Sequence, residues 1–240
     1  MSHVARVEVP GMLHLVEQRV RRELRAPVEF HDRHLCLATL HGSLYKYGIQ
    51  LCGYNILSDR VLLAVIPQHP LAISLALMNA DHNFTRRFNE IHNQVAPFWQ
   101  SRYDCCPFAN EVAWRVLRYV DVASVRMGDG KPFDPHAWSS AAEHAGLVSQ
   151  GLLTAPPARL PNPAGWHAFL ESPEDERFVL ALELCLRTGK PFGPFPFVRK
   201  VEQLCGRRIR PACLNWPGLF ESAEPTAARD VLSQSASASD

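Results

Sequence analysis

Lysine is scarce in this chain: it occurs only at positions 46, 131, 190 and 200, although lysine and arginine together number 25. The positive charge is therefore almost all guanidinium, the group best suited to bidentate phosphate contacts and to stacking on bases, and one that a GC-rich coding sequence also favours. No apolar run approaches the roughly 20 residues needed to cross a bilayer. The opening residues, MSHVARVEVPGML, hold no uninterrupted apolar stretch of the kind a secretory signal uses, and a cytoplasmic protein with no membrane partner is expected. There is no GxxxxGK[ST], no GxGxxG and no GxSxG, so nucleotide cofactors and an esterase-type elbow have no support. The 11 histidines include no HExxH, and neither His31 with His34 nor His82 with His92 falls at a recognised ligand spacing. The cysteines number 7, an odd count without CxxC, which reads as reduced thiols rather than a disulfide framework. Cys36, Cys52, Cys185 and Cys205 lie in apolar periodic segments, where a thiol behaves as a small hydrophobe. Cys105 and Cys106 are adjacent on a candidate strand and so point to opposite faces.

What is present suits one good core with an appended subdomain: 240 residues, 47% hydrophobic and 20% charged, with a net charge of +1. Met12 to Arg19 alternates apolar and polar side chains after a Pro-Gly pair, predicting a half-buried strand. His31 to Tyr47 has helical spacing through Leu37, Leu40 and Leu44, with Gly48 as its C-cap. Two strands follow, Ile49 to Leu57 and Val61 to Ile66, joined by the turn Ser58, Asp59, Arg60. Leu71 to Ile91 returns to helical period after Pro67 and Pro70, Arg102 to Phe108 reads as a fourth strand, and Asn110 to Val122 as another helix. The order is that of an α+β protein with a ferredoxin-like antiparallel sheet covered by helices. Gly146 to Pro163 is proline-rich and linker-like. Trp166 to Leu186 and Phe195 to Cys205 then read as two helices around GKPFGPFP. Three regions are expected: a domain over 1–140, a basic helical extension over 141–213, and a low-complexity tail over 214–240, ending SQSASASD and expected to be disordered.

Several segments carry a family resemblance in the right order: VPGMLHLVEQR (9–19), YKYGIQLCGYNIL (45–57), TRRFNEIHN (85–93), PFWQSRYDCC (97–106), LRYVDVASVR (117–126), WSS (138–140) and RTGKPFGPFPFVRKVEQLCGRRIRP (187–211). Together they resemble the REP-associated tyrosine transposases, single-tyrosine members of the HUH class. The resemblance implies an enzyme that cuts single-stranded DNA beside a hairpin by attack of one tyrosine on a phosphodiester. Tyrosine ionises near pH 10 and a phosphate repels it, so such chemistry calls on a divalent metal, magnesium or manganese, to polarise the scissile group. The family holds that ion with two histidines one residue apart on a strand and a polar side chain one helical turn after the tyrosine. By the same resemblance the nucleophile position here is Tyr119, and the three ligand positions are Arg60, Leu62 and Ala123. Arginine has no lone pair to give a cation, and the other two are hydrocarbon. No metal cofactor is therefore expected unless activity is retained through other groups, such as Asp59 or Asp121 with Asn55. The family's Asn-Pro turn is also absent, replaced by DVASVRMGDG (121–130).

The implied function is a transposase-like DNA-binding protein that recognises hairpin or single-stranded DNA, a pseudoenzyme with the metal site lost. Two alternatives stand beside it: an active transposase working through Tyr119, and an interaction module that no longer binds DNA. Tyr119 is either a relic nucleophile or an amphipathic core-edge tyrosine, and Arg60 is either a phosphate contact placed near the former metal or an ordinary turn arginine. Candidate DNA contacts are Arg19, Arg21 and Arg22 after the first strand, Arg60, Arg86, Arg87 and Arg102, and Lys190, Arg199, Lys200, Arg207 and Arg208 in a tract where Glu202 is the sole acid between 186 and 213. Phe98, Trp99 and Tyr103 beside Arg102 are candidates for stacking unpaired bases. Fold analogy leaves the oligomeric state open.

Overall fold

Apolar side chains recur every second residue in the strands and every three to four in the helices that follow, and the chain folds in the order this predicts. The computed structural model describes residues 6–21, 23, 30–128, 130, 133, 138–149, 151–154, 163–209 and 218–220. β1 (His14–Arg19), α1 (Phe30–Lys46), β2 (Ile49–Ile56), β3 (Arg60–Pro67), α2 (Ala72–His92) and β4 (Asp104–Pro107) form the first layer pair. The strands lie in the order β2-β3-β1-β4, every neighbouring pair antiparallel. β3 inserts between β1 and β2, the split arrangement of a ferredoxin-like sheet. The fold is α+β, an open antiparallel sheet covered by helices.

Strand periodicity divides the core in two. Val16, Tyr54, Leu63, Val65 and Cys105 face α1 and α2, where Leu40, Leu44, Ile73, Leu77 and Phe84 close on them. Leu15, Leu62, Ala64 and Cys106 face the other way, against the second helical layer. Each such aliphatic side chain contributes roughly 1.5–3 kcal/mol through burial, so a one-residue slip that inverted the faces would be prohibitive. The adjacent thiols of Cys105 and Cys106 accordingly sit in different cores.

The second layer comprises α3 (Ala113–Asp121), α4 (Ala123–Arg126), α5 (Ala141–His144), α6 (Pro163–Glu171), α7 (Glu176–Thr188) and α8 (Phe195–Cys205). Two expectations change here. The helix predicted over 110–122 begins as a 3-10 turn, Asn110–Val112, and is interrupted at Val122. The single helix predicted over 166–186 is two: Pro173 lacks the amide a helix interior needs, and Asp175 starts α7 by accepting hydrogen bonds from the amides of Arg177 (3.1 Å) and Phe178 (3.2 Å). Arg118 of α3 fixes this corner, donating to the carbonyls of Ser172 and Pro173 while its guanidinium lies 4.5 Å from the Phe169 ring centroid. Trp166, Phe178, Leu182 and Phe192 of the expected helical extension belong to the same core as Leu62 and Tyr119. Most of the expected tail lies outside the described residues. Within it, however, Leu219 is buried in that core, Phe220 packs on it, and the Leu219 carbonyl accepts from Arg115 at 2.9 Å.

Both outer strands are partly covered. Along β2, the Ile56 amide donates to the Trp138 carbonyl (2.8 Å), the Ser140 amide to the Tyr54 carbonyl (2.9 Å) and the Thr154 amide to the Leu51 carbonyl (3.0 Å). Beyond β4, Phe108 bridges Phe192 in parallel. Unpaired strand groups recruit partners, and these segments occupy them.

Candidate functional site

α3 crosses the face of β2 and β3, so Tyr119, Leu62 and Ala123 come together in one core. That core is dry. Tyr119 is 2% exposed, and its hydroxyl points to Glu183 Oε1 on α7 at 3.5 Å. The Arg126 guanidinium lies 4.3 Å from its ring centroid and donates to its carbonyl at 3.1 Å. Burial first, and the Glu183 charge second, push the phenol's pKa upward. An activated nucleophile needs the reverse.

Arg60 begins β3 opposite Arg19, on the same sheet face as Glu17 and Leu62. Its guanidinium is gripped by Asp59 through two hydrogen bonds, Nε to Oδ1 at 3.0 Å and Nη2 to Oδ2 at 2.9 Å, and Nη1 reaches Glu17 Oε2 at 3.4 Å. The Asp59 hydrogen bonds, more than any other influence, raise its already high pKa. Glu17 also accepts from Arg19 Nε at 2.5 Å and sits opposite Asp104, whose carboxyl is pushed up by burial and then by the Glu17 charge. A guanidinium, an isobutyl group and a methyl group do not fit a divalent ion. Among the described residues no three histidine, cysteine or acidic side chains converge in a way that could hold one.

The polar groups named as substitute ligands make hydrogen bonds elsewhere, although Asn55 Oδ1 itself is buried without a partner. Asn55 donates to the carbonyls of Val120 (2.8 Å) and Asp121 (3.3 Å). Asp121 is fully buried at the end of α3 and accepts from Ser140 Oγ (2.6 Å), His144 Nδ1 (2.8 Å) and Trp166 Nε1 (3.2 Å). His144 Nε2 meets the Cys52 carbonyl at 2.8 Å. With an acceptor at each ring nitrogen, His144 carries both protons. Burial opposes that charge, but the Asp121 carboxylate and its hydrogen bond outweigh the penalty and the pKa is raised. Gly53 lets the strand approach this network: a Cβ there would meet Leu117 Cδ2 at 2.8 Å and Ser140 Oγ at 3.3 Å. No motif spacing announces this group, because its members are scattered from 52 to 166. The resembling segments touch its members singly, at Cys52, Asp121 and Ser140, without showing that they meet.

The candidate DNA contacts form separate groups. Arg19, Arg60 and Arg102 lie at one end of the sheet, where the Gln100 amide donates to the Arg19 carbonyl at 2.9 Å. Arg21 pairs loosely with Glu23 at 3.6 Å, and Arg22 lies outside the described residues. Arg86 and Arg87 are exposed on α2, on the opposite side of the sheet from Tyr119. Arg199, Lys200 and Arg208 are exposed and Lys190 and Arg207 half-buried around α8, which packs on Val7 and Val9. Arg199 is paired with Glu202 at 3.4 Å. Two of the expected stacking aromatics are core residues: Phe98 is 2% and Tyr103 6% exposed, Phe98 wedged between Phe84 and Phe88 and Tyr103 bonded to Glu8 Oε1 at 2.7 Å. Trp99 keeps an exposed portion.

This architecture is similar to a solved REP-associated tyrosine transposase bound to a REP hairpin, with a TM-score of 0.52 and 15% sequence identity over 68% of this chain and 93% of that one. The fold is HUH transposase-like. No family profile and no curated protein matches the chain. At that identity the likeness speaks for the HUH-like fold alone. Among the described residues no helix is long and apolar enough to cross a membrane.

Proposed function

We propose that this protein binds hairpin or single-stranded DNA through its HUH-like fold and has lost strand cleavage. The observation that carries the second half is the burial of Tyr119 beneath α7 with the Glu183 carboxylate at its hydroxyl. A scissile phosphate would have to reach a tyrosine that is 2% exposed, and the Glu183 carboxylate beside its hydroxyl repels an anion. The hydrocarbon side chains of Leu62 and Ala123 in the same core support the reading, since neither can ligate an ion. DNA as partner is supported by the hairpin-bound structural neighbour and by the outward cations Arg86, Arg87, Arg102, Arg199, Lys200 and Arg208. Arg60 can serve a phosphate only by exchanging Asp59 for it.

The test is a titration of a fluorescent hairpin carrying a single-stranded extension, at two salt concentrations, with and without magnesium or manganese. Binding that weakens steeply with salt and gives no covalent product on a denaturing gel is expected. A covalent adduct that disappears in Tyr119→Phe overturns the loss of cleavage. Absence of binding at low salt favours an interaction module instead.

A further inference from the structure

The outer face of α1 opens Phe30, His31, His34, Tyr45 and Lys46 to solvent. The helix's sole acid, Asp32, is turned inward, 1% exposed and bound to His92 Nε2 at 2.9 Å, so α1 presents no carboxylate of its own on that face. At the start of the helix stands an aromatic shelf. Phe30 meets Trp138 in a T-shaped contact with ring centroids 4.8 Å apart, and His34 meets the same indole at 6.2 Å. Trp138 packs on the core beneath α1, and its carbonyl accepts from the Ile56 amide at 2.8 Å, which fixes the shelf to the end of β2. The Leu57 amide just beyond donates to the Arg60 carbonyl at 2.9 Å, and Arg60 lies opposite Arg19, so the shelf stands at the cationic end of the sheet. Phe30 is braced by the indole and still 66% exposed, which leaves most of its ring to a partner.

We infer that this face of α1 is a track for the unpaired part of a DNA strand, with one base stacked on Phe30 beside Trp138 and the backbone led past His31 and His34 toward Tyr45 and Lys46. The inference rests on the DNA-binding reading and adds where the single-stranded portion runs. Every base has a π-face to lay on an aromatic ring, and in a duplex that face is already covered by its neighbours. Imidazole keeps an N–H donor in either protonation state, so His31 and His34 can serve phosphate oxygens, and a helix face without carboxylates does not repel them. Tyr45, 80% exposed and next to Lys46, offers a second ring at the far end. From His31 to Tyr45 the helix rises about 21 Å, the length of about six nucleotides at ~3.4 Å each.

The experiment titrates four fluorescent probes into full-length wild type, Phe30→Ala, Phe30→Tyr and Lys46→Ala at low salt. They are an oligothymidylate of about eight nucleotides, slightly longer than the face, an abasic strand of the same length, a blunt hairpin and polyglutamate. Phe30 and Lys46 are exposed, so the variants keep the wild-type melting temperature. Roughly tenfold weaker binding of the oligothymidylate is expected in Phe30→Ala, with affinity retained in Phe30→Tyr and the blunt hairpin unmoved. Lys46→Ala should weaken the oligothymidylate and the abasic strand alike. Equal oligothymidylate affinities in wild type and Phe30→Ala, no preference of wild type for the oligothymidylate over the abasic strand, or no oligothymidylate binding at all overturns the track, and a hairpin still bound then leaves the DNA reading intact. Wild type that binds polyglutamate but none of the DNAs makes this face a seat for an acidic protein and removes both readings.

Discussion

Asp121→Ala should be among the most damaging substitutions in this chain, although its carboxylate touches nothing a nuclease would use. It strands two donors at once, His144 Nδ1 and Trp166 Nε1, at a site where Asp121 is 0% exposed, while Ser140 Oγ keeps the Tyr54 carbonyl at 3.2 Å. Breaking a buried ion pair from one side costs roughly 3–5 kcal/mol, because the surviving charge has neither solvent nor partner. Asp121→Asn is different. His144 can release its Nδ1 proton, keep Nε2–H on the Cys52 carbonyl, and accept from the new amide, whose carbonyl still serves Ser140; Trp166 Nε1, which shares Oδ2 with His144, loses its acceptor, and the cost falls to about 1–3 kcal/mol. The two variants also separate in pH. In wild type the folded-state pKa of His144 lies above its unfolded value, so the pair's contribution is complete below about 6.5 and lost as pH rises through the folded value. In Asp121→Asn that decline should vanish. Urea unfolding of the three proteins at pH 6 and pH 9 reads all of this. If Asp121→Ala costs under about 1 kcal/mol, or Asp121→Asn retains the decline at high pH, the buried imidazolium–carboxylate pair is not as described.

Three further outcomes follow from contacts elsewhere. His14 accepts from the Val9 amide through Nε2 at 3.1 Å and donates Nδ1–H to the Met12 carbonyl at 2.8 Å, and burial lowers its pKa to about 4. Stability should therefore fall by about 3 kcal/mol as pH drops from 6.5 to 4, a dependence removed in His14→Gln and measurable by denaturant midpoints. Gly53→Ala should cost about 1–3 kcal/mol by driving a methyl into Leu117, seen as a lowered melting temperature. Tyr119→Phe should leave hairpin affinity within twofold of wild type; a tenfold loss would mean that the phenol meets DNA after all.

Much of the sheet was legible because its physics is local. Alternation in β1, the short continuous apolar run of β3 and a glycine after Lys46 and Tyr47 fix element types without reference to the rest of the chain, and Gly48 does adopt a left-handed φ of 64°. The α6–α7 break had a local signal too, in Ser172-Pro173 followed by Asp175, but the apolar rhythm on either side of it continues and hides it. The chemistry of the tyrosine face was only partly legible. Leu62 and Ala123 declare their lack of lone pairs by identity. That Glu183 comes to the Tyr119 hydroxyl, and that Glu17 joins on Arg60, depends on contacts between distant elements that no spacing encodes, whereas Asp59 is Arg60's own neighbour in the chain. Phe98 and Tyr103 were open to a stacking role because aromatic side chains look alike in sequence whether they face solvent or Phe84.

Because Phe178 and Leu182 lie on α7, which packs on β4 and β1, and Trp166, Leu170 and Phe192 complete the same core, the chain resists being cut down to its first 140 residues. An excised sheet would wet a whole flank of α3 and forfeit on the order of 10 kcal/mol of burial, comparable to the entire stability of a typical domain. Any fragment made to isolate the nucleic-acid surface must carry the later helices with it.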